Sequence, residues 1–135
     1  MLSIFIYYFI LDTIVDLSHN LTMNCIFKHP TILFVLILHH FCSCFLLGGW
    51  LFNYKPILMI HIITVITTFI YWRNNENVCG LTIRVNEKCG WKRDKPFRDL
   101  LDVTGLKNMR NWNEYGHYIV IVLGGLFSLY KIAIQ

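Results

Sequence analysis

The amino-acid sequence predicts an all-α protein: an integral membrane helical bundle with three strong transmembrane helices, a fourth hydrophobic helix at the N-terminus and a short amphipathic juxtamembrane helix. Composition predicts it first. Of 135 residues, 56% are hydrophobic and 15% charged, and the mean hydropathy is +0.50, whereas soluble domains carry about a quarter charged residues. The second observation is a pair of long apolar runs, 31–52 and 57–72, that contain no Lys, Arg, Asp or Glu. The third is a further apolar run, 117–134, interrupted only by Lys131 near its end, from where a lysine reaches the interface. These segments leave too few residues for a separate soluble domain of about 50 residues. The chain 1–135 is therefore read as one membrane domain, which excludes large nucleotide-binding and barrel enzymes.

Taken in order, residues 1–17 are the ambiguous element. Leu2 to Leu11 is apolar, but Asp12 and Asp16 follow, and a carboxylate at the centre of a membrane helix costs on the order of 3 kcal/mol. The sequence is compatible with a helix on the membrane surface, or with a span whose two aspartates reach the far headgroups. A signal peptide fits poorly, since neither a basic n-region nor a small-residue cleavage site is present. Met23 offers a later start that leaves only the three strong spans.

Residues 31–52 and 57–72 are joined by Asn53-Tyr54-Lys55-Pro56, which forces a tight helical hairpin with Pro56 in the first turn of the second helix. Segment 73–116 then holds nine of the twelve basic residues and six of the eight acids, a net of +3. Such a mixed segment is a solvated or lipid-facing loop and not a nucleic-acid surface. Counted against Lys55 alone in the hairpin turn, its basic residues put this loop on the cytoplasmic side. The Asn20-Leu21-Thr22 sequon falls on that side too and is expected to remain unglycosylated. Within the loop, Pro96 to Gly105 opens with proline, closes with glycine and sets Phe97, Leu100, Leu101 and Thr104 on one stripe, which predicts the short amphipathic helix. Trp72, Trp91, Trp112, Tyr115 and Tyr118 flank the spans as an interfacial aromatic belt does. A single alanine, Ala133, beside 18 isoleucines and 10 asparagines points to codon pressure in an AT-rich genome, such as that of a large DNA virus, a protist or an organelle.

Polar residues inside the apolar runs are the candidates for function: His39, His40, Cys42, Cys44, His61, Thr64, Thr67 and Thr68. Counted from the hairpin turn, His40 and His61 differ in depth by roughly 12 Å at 1.5 Å per residue, so they do not ligate one ion across the hairpin. His61 instead falls level with Gly48 and Gly49, where small residues let backbones approach and the imidazole bonds a neighbouring carbonyl or hydroxyl. His40 lies nearer the long loop, where His117 comes within range, and His40, Cys44 and His117 are an alternative metal set that lacks a closed shell. Cys79 and Cys89 are compatible with a disulfide, half a zinc site or two free thiols; a disulfide would demand an oxidising side and contradict the orientation from charge. Nucleophile elbows, zinc-protease motifs, phosphate-binding glycine loops and potassium filters are missing, so no catalytic residue is assigned and an enzyme is the less favoured reading.

From residue 35 onward the order of landmarks resembles DUF2784, a family of small bacterial membrane proteins of unknown function. The matching positions are His39 or His40, Gly48 or Gly49, Pro56 followed by His61, Cys79-Gly80-Leu81-Thr82, and His117-Tyr118. The family has proline where Gly80 stands. The resemblance implies that His40, His61, Cys79, Thr82, His117 and Tyr118 matter, that Leu81 folds back on the bundle and that Thr82 caps a juxtamembrane helix. It supplies no reaction.

The expected function is that of a multipass structural or assembly component, bound in the bilayer and docking other membrane proteins or a capsid-like partner through Trp91, Phe97 and Trp112 of its loop. No cofactor is expected on this reading. The alternative is a haem- or metal-binding redox protein using His40, His61 and His117. A transporter or channel is disfavoured for want of an intramembrane carboxylate or arginine.

Overall fold

The computed structural model describes residues 2–75, 78–93, 105 and 116–135, and those residues are helical with short connections. The helices are α1 (Leu2–Leu17), α2 (Asn20–Lys28), α3 (Thr31–Gly48), α4 (Lys55–Asn74), α5 (Gly80–Cys89) and α6 (His117–Ile134), with one 3₁₀ turn at Gly49–Leu51. Two of them are long and apolar enough to cross a membrane: α3 with its 3₁₀ extension, Thr31–Leu51, and α4. That is one fewer than the three strong spans expected, because α6 is a shorter apolar helix. The amphipathic helix expected over 96–105, together with Trp112 and Tyr115, lies outside the described residues apart from Gly105, whose φ is +75°.

Local chemistry sets the breaks. Chain direction changes by 83° between α1 and α2, where His19 adopts an extended backbone ahead of α2. His29 precedes Pro30 and has a non-helical backbone, φ −136° and ψ 80°, since the proline ring disfavours the helical region for the residue before it, so α2 stops and α3 begins. Pro56 sits in the first turn of α4, where its missing N–H has no helical partner to lose. At the end of α5, Gly90 takes φ +68° and the N–H of Trp91 bonds the carbonyl of Asn86, a left-handed stop that glycine reaches without strain.

Two apolar clusters hold the elements together. Cys25, Ile32, Leu36 and Val85 join α2, α3 and α5, with Trp91 packed against them; Leu46, Val65 and Ile121 join α3, α4 and α6, with Trp72 alongside. Trp91 thus belongs to the packing of this end of the bundle. The first cluster carries a disulfide between Cys25 and Cys89, with Cα atoms 5.5 Å apart. This corrects the Cys79–Cys89 pairing considered from sequence. Cys79 and Cys89 stand at opposite ends of α5, roughly 15 Å apart at 1.5 Å per residue, whereas Cys25 on α2 faces Cys89 across the first turns of α3. Cys79 is a free thiol.

At the opposite end, the Lys131 ammonium bonds the carbonyls of Trp50, Leu51 and Phe52 at 2.9, 3.3 and 3.3 Å and Oδ1 of Asn53 at 2.9 Å. The lysine expected to extend to the interface caps the end of α3 and its 3₁₀ turn, where the helix leaves carbonyls without intrahelical donors. Lys131→Met is expected to lower stability by about 1–2 kcal/mol. A shift of the thermal midpoint in detergent reports it, and an unchanged midpoint would show that water serves those carbonyls equally well.

Candidate functional site

The polar centre of the fold is built from three helices. On α1 the side chains at i and i+4 share a face, so Asp12 and Asp16 point the same way, in line with Phe5; these three are the buried residues of the helix. Phe5 packs edge-on against Phe41 and Phe52, with ring centroids 5.8 and 5.5 Å away, and Phe9 meets Phe41 at 5.9 Å. α1 therefore runs antiparallel beside α3. Asp12 and Asp16 are buried against α3.

Their partner is His40, near the middle of Thr31–Leu51 and 1% exposed. Its Nδ1 lies 2.7 Å from Oδ2 of Asp12, and its Nε2 lies 3.1 Å from Oδ2 of Asp16. Thr22, from the first turn of α2, donates its hydroxyl to Oδ1 of Asp16 at 3.1 Å. Asp12, Asp16 and Thr22 are all buried. Both ring nitrogens thus face carboxylates, which can only accept hydrogen bonds when ionised.

A second histidine is bound differently. His61 on α4 is fully buried; Nε2 lies 3.1 Å from the carbonyl of Leu46 and Nδ1 lies 2.8 Å from Oγ of Ser128 on α6. A neutral ring satisfies both, with Nε2–H donating to the carbonyl and Nδ1 accepting from the Ser128 hydroxyl. The ring rests against Gly49: a Cβ built there would meet Cδ2 and lie 2.8 Å from Cγ. The level count from the hairpin turn thus agrees with the observed placement.

The remaining sequence candidates are scattered. Thr82 is buried in the first turn of α5, which begins at Gly80 with Cys79 at the capping position and no side-chain cap, so Thr82 does not cap the helix. Tyr118 packs edge-on against Phe69 and Trp72. The His117 side chain lies outside the described residues. As alternative metal ligands, His40 and His61 sit in separate networks with both ring nitrogens engaged by protein groups, and among the described residues no three His, Cys, Asp or Glu are placed to hold an ion.

Sequence reading missed Asp12, Asp16, Thr22, Ser128 and Cys25. A signal for the aspartates was present: two carboxylates four apart in an otherwise apolar helix demand one common partner. Compared with protein-family models, curated proteins and solved structures, the chain matches none.

Proposed function

We propose that this protein is a multipass integral membrane protein with a structural or assembly role, whose helices form a self-satisfied anchor and whose segment 73–116 is offered to a protein partner. The carrying observation is that the polar side chains within the apolar helices are turned on one another, His40 to Asp12 and Asp16 and His61 to Ser128. Side chains arranged so are helix-to-helix pins. The outer faces of α3, α4 and α6 support membrane embedding, with Phe34, Ile63 and Leu126 among many large apolar residues left exposed, as a lipid-facing band requires. Affinity to DUF2784 belongs to the same proposal, since its two histidine positions become the two pins.

Within this reading the Cys25–Cys89 disulfide favours the side opposite to the one expected from charge. The basic residues of 73–116 favour the cytoplasm, but that bias acts on insertion and can be overridden, whereas a disulfide needs an oxidant to form and an oxidising compartment to persist. The disulfide therefore supports an α2–α5 end on the oxidising side. Thiols blocked before lysis should show Cys25 and Cys89 protected until reductant is added, and an impermeant amine reagent should reach the lysines of 88–107 from outside intact cells or inside lumenal compartments. Free thiols with cytosolic labelling would restore the orientation from charge.

The functional reading is tested by an absorption spectrum, oxidised and dithionite-reduced, with metal analysis of the detergent-purified protein. A flat spectrum and metal below about a tenth of an equivalent are expected for occupied histidines. A Soret band or stoichiometric metal would overturn the structural role in favour of a redox protein.

A further inference from the structure

We propose that Asp12, His40 and Asp16 form a proton-binding site, and that the bound proton latches α1 to α3. The argument is a count of hydrogens. A neutral imidazole carries one N–H, yet both ring nitrogens lie within hydrogen-bond distance of carboxylate oxygens, at 2.7 and 3.1 Å. Two ionised carboxylates offer no hydrogen of their own. Both contacts are hydrogen bonds only if the three groups together hold one proton more than a neutral ring and two carboxylates, shared as a macroscopic property of the cluster. Without it, one carboxylate faces a nitrogen lone pair in a buried setting, where repulsion is weakly screened.

The placement turns that proton into a latch. Both carboxylates are on α1 and the imidazole is on α3, so the site closes the contact between these two helices. Near its N-terminal end α1 is held by the aromatic contacts of Phe5 and Phe9; beyond the bend, α2 is tied to α5 by the Cys25–Cys89 bond. The C-terminal half of α1 carries the two aspartates of the cluster. Asp16 lies one residue from the end of α1 and accepts from Thr22 at the start of α2, beside the α1–α2 bend.

Other ionisable groups lie on and around α3, among them the free thiols Cys42 on α3 and Cys79 at the start of α5. On α3 itself the His39 ring is 5.6 Å from that of His40, and Cys44 follows one turn on. α2 brings His19 at its capping position and Lys28 at its far end. α5 exposes Arg84, Glu87 and Lys88 around an open surface depression, α4 has His61 bonded to Ser128 and Leu46, and α6 has Lys131 at the opposite end of the bundle.

The test is amide hydrogen exchange on the full chain in detergent, from about pH 6 to about pH 10, a range that begins near the titration of free imidazole. Rates are corrected for intrinsic base catalysis, and α4 serves as the internal reference. Protection of α1 should fall as pH rises, by up to about tenfold per pH unit, the slope of one linked proton, while α4 stays level. Asp16→Asn separates this from general alkaline loosening. Its amide can donate to Nε2 while a neutral ring donates from Nδ1 to Asp12, so the cluster is complete without the extra proton and α1 should stay protected across the range. Asp12→Asn makes the mirror-image arrangement and serves if the first variant folds poorly. A wild-type α1 whose corrected protection is flat with pH, or an Asp→Asn variant that keeps the wild-type pH dependence, would overturn the proposal.

Discussion

Replacing His40 by alanine is expected to lower the stability of the bundle by about 3–5 kcal/mol, the range seen when one partner is removed from a buried charge cluster. Neutral hydrogen bonds between membrane helices average only about 0.6 kcal/mol, so the size of the effect distinguishes the two kinds of contact. Alanine removes the ring that both carboxylates contact and leaves Asp12 and Asp16 facing the space it vacated. The companion experiment replaces all three residues with leucine. If the cluster is a buried charge set, that triple variant should be far less destabilised than His40→Ala alone, since an apolar replacement removes the desolvation cost together with the attraction. Unfolding by a denaturing detergent, read by circular dichroism, gives both numbers. A loss below about 1 kcal/mol for the single variant would mean that water reaches the aspartates and that Phe5 and its neighbours hold α1 instead.

The contrast between the two histidines shows where the sequence is legible. A four-residue hairpin turn fixes the level of α4 against α3, so counting outward from it brings His61 beside Gly48 and Gly49 by arithmetic alone. No such turn ties α1 to α3. α2 intervenes, and its polar run of residues 18–30 carries no signal of a helix folded across the end of the bundle. Asp12 and Asp16, weighed one at a time, look too costly for the interior; the compensation is a tertiary pairing with a residue 28 and 24 positions away. The disulfide is hidden for the same reason, with its cysteines 64 positions apart. Apolar runs thus report which helices are buried, whereas the partners of buried polar groups depend on packing between elements that are distant in sequence.

Two adjacent glycines should respond in opposite ways to the same substitution. Gly49→Ala is expected to cost about 1–3 kcal/mol, the usual penalty for an extra methyl in a packed interior. The new Cβ would fall on the His61 ring, 2.8 Å from Cγ, and that ring is held by Ser128 on one side and the Leu46 carbonyl on the other. It cannot step aside without breaking one of the two bonds. At Gly48 a Cβ meets only Cδ1 of Leu51 at 3.7 Å, an ordinary contact, so Gly48→Ala should be neutral or stabilising by up to about 1 kcal/mol through backbone entropy. Combining Gly49→Ala with His61→Ala locates the cause. Losing the ring alone opens a cavity and should cost about 2–5 kcal/mol, but the methyl then occupies vacated space. The double variant should be more stable than the sum of the single losses predicts by at least about 1 kcal/mol. Strict additivity in that cycle would show that Gly49 is not the wall against which His61 is packed.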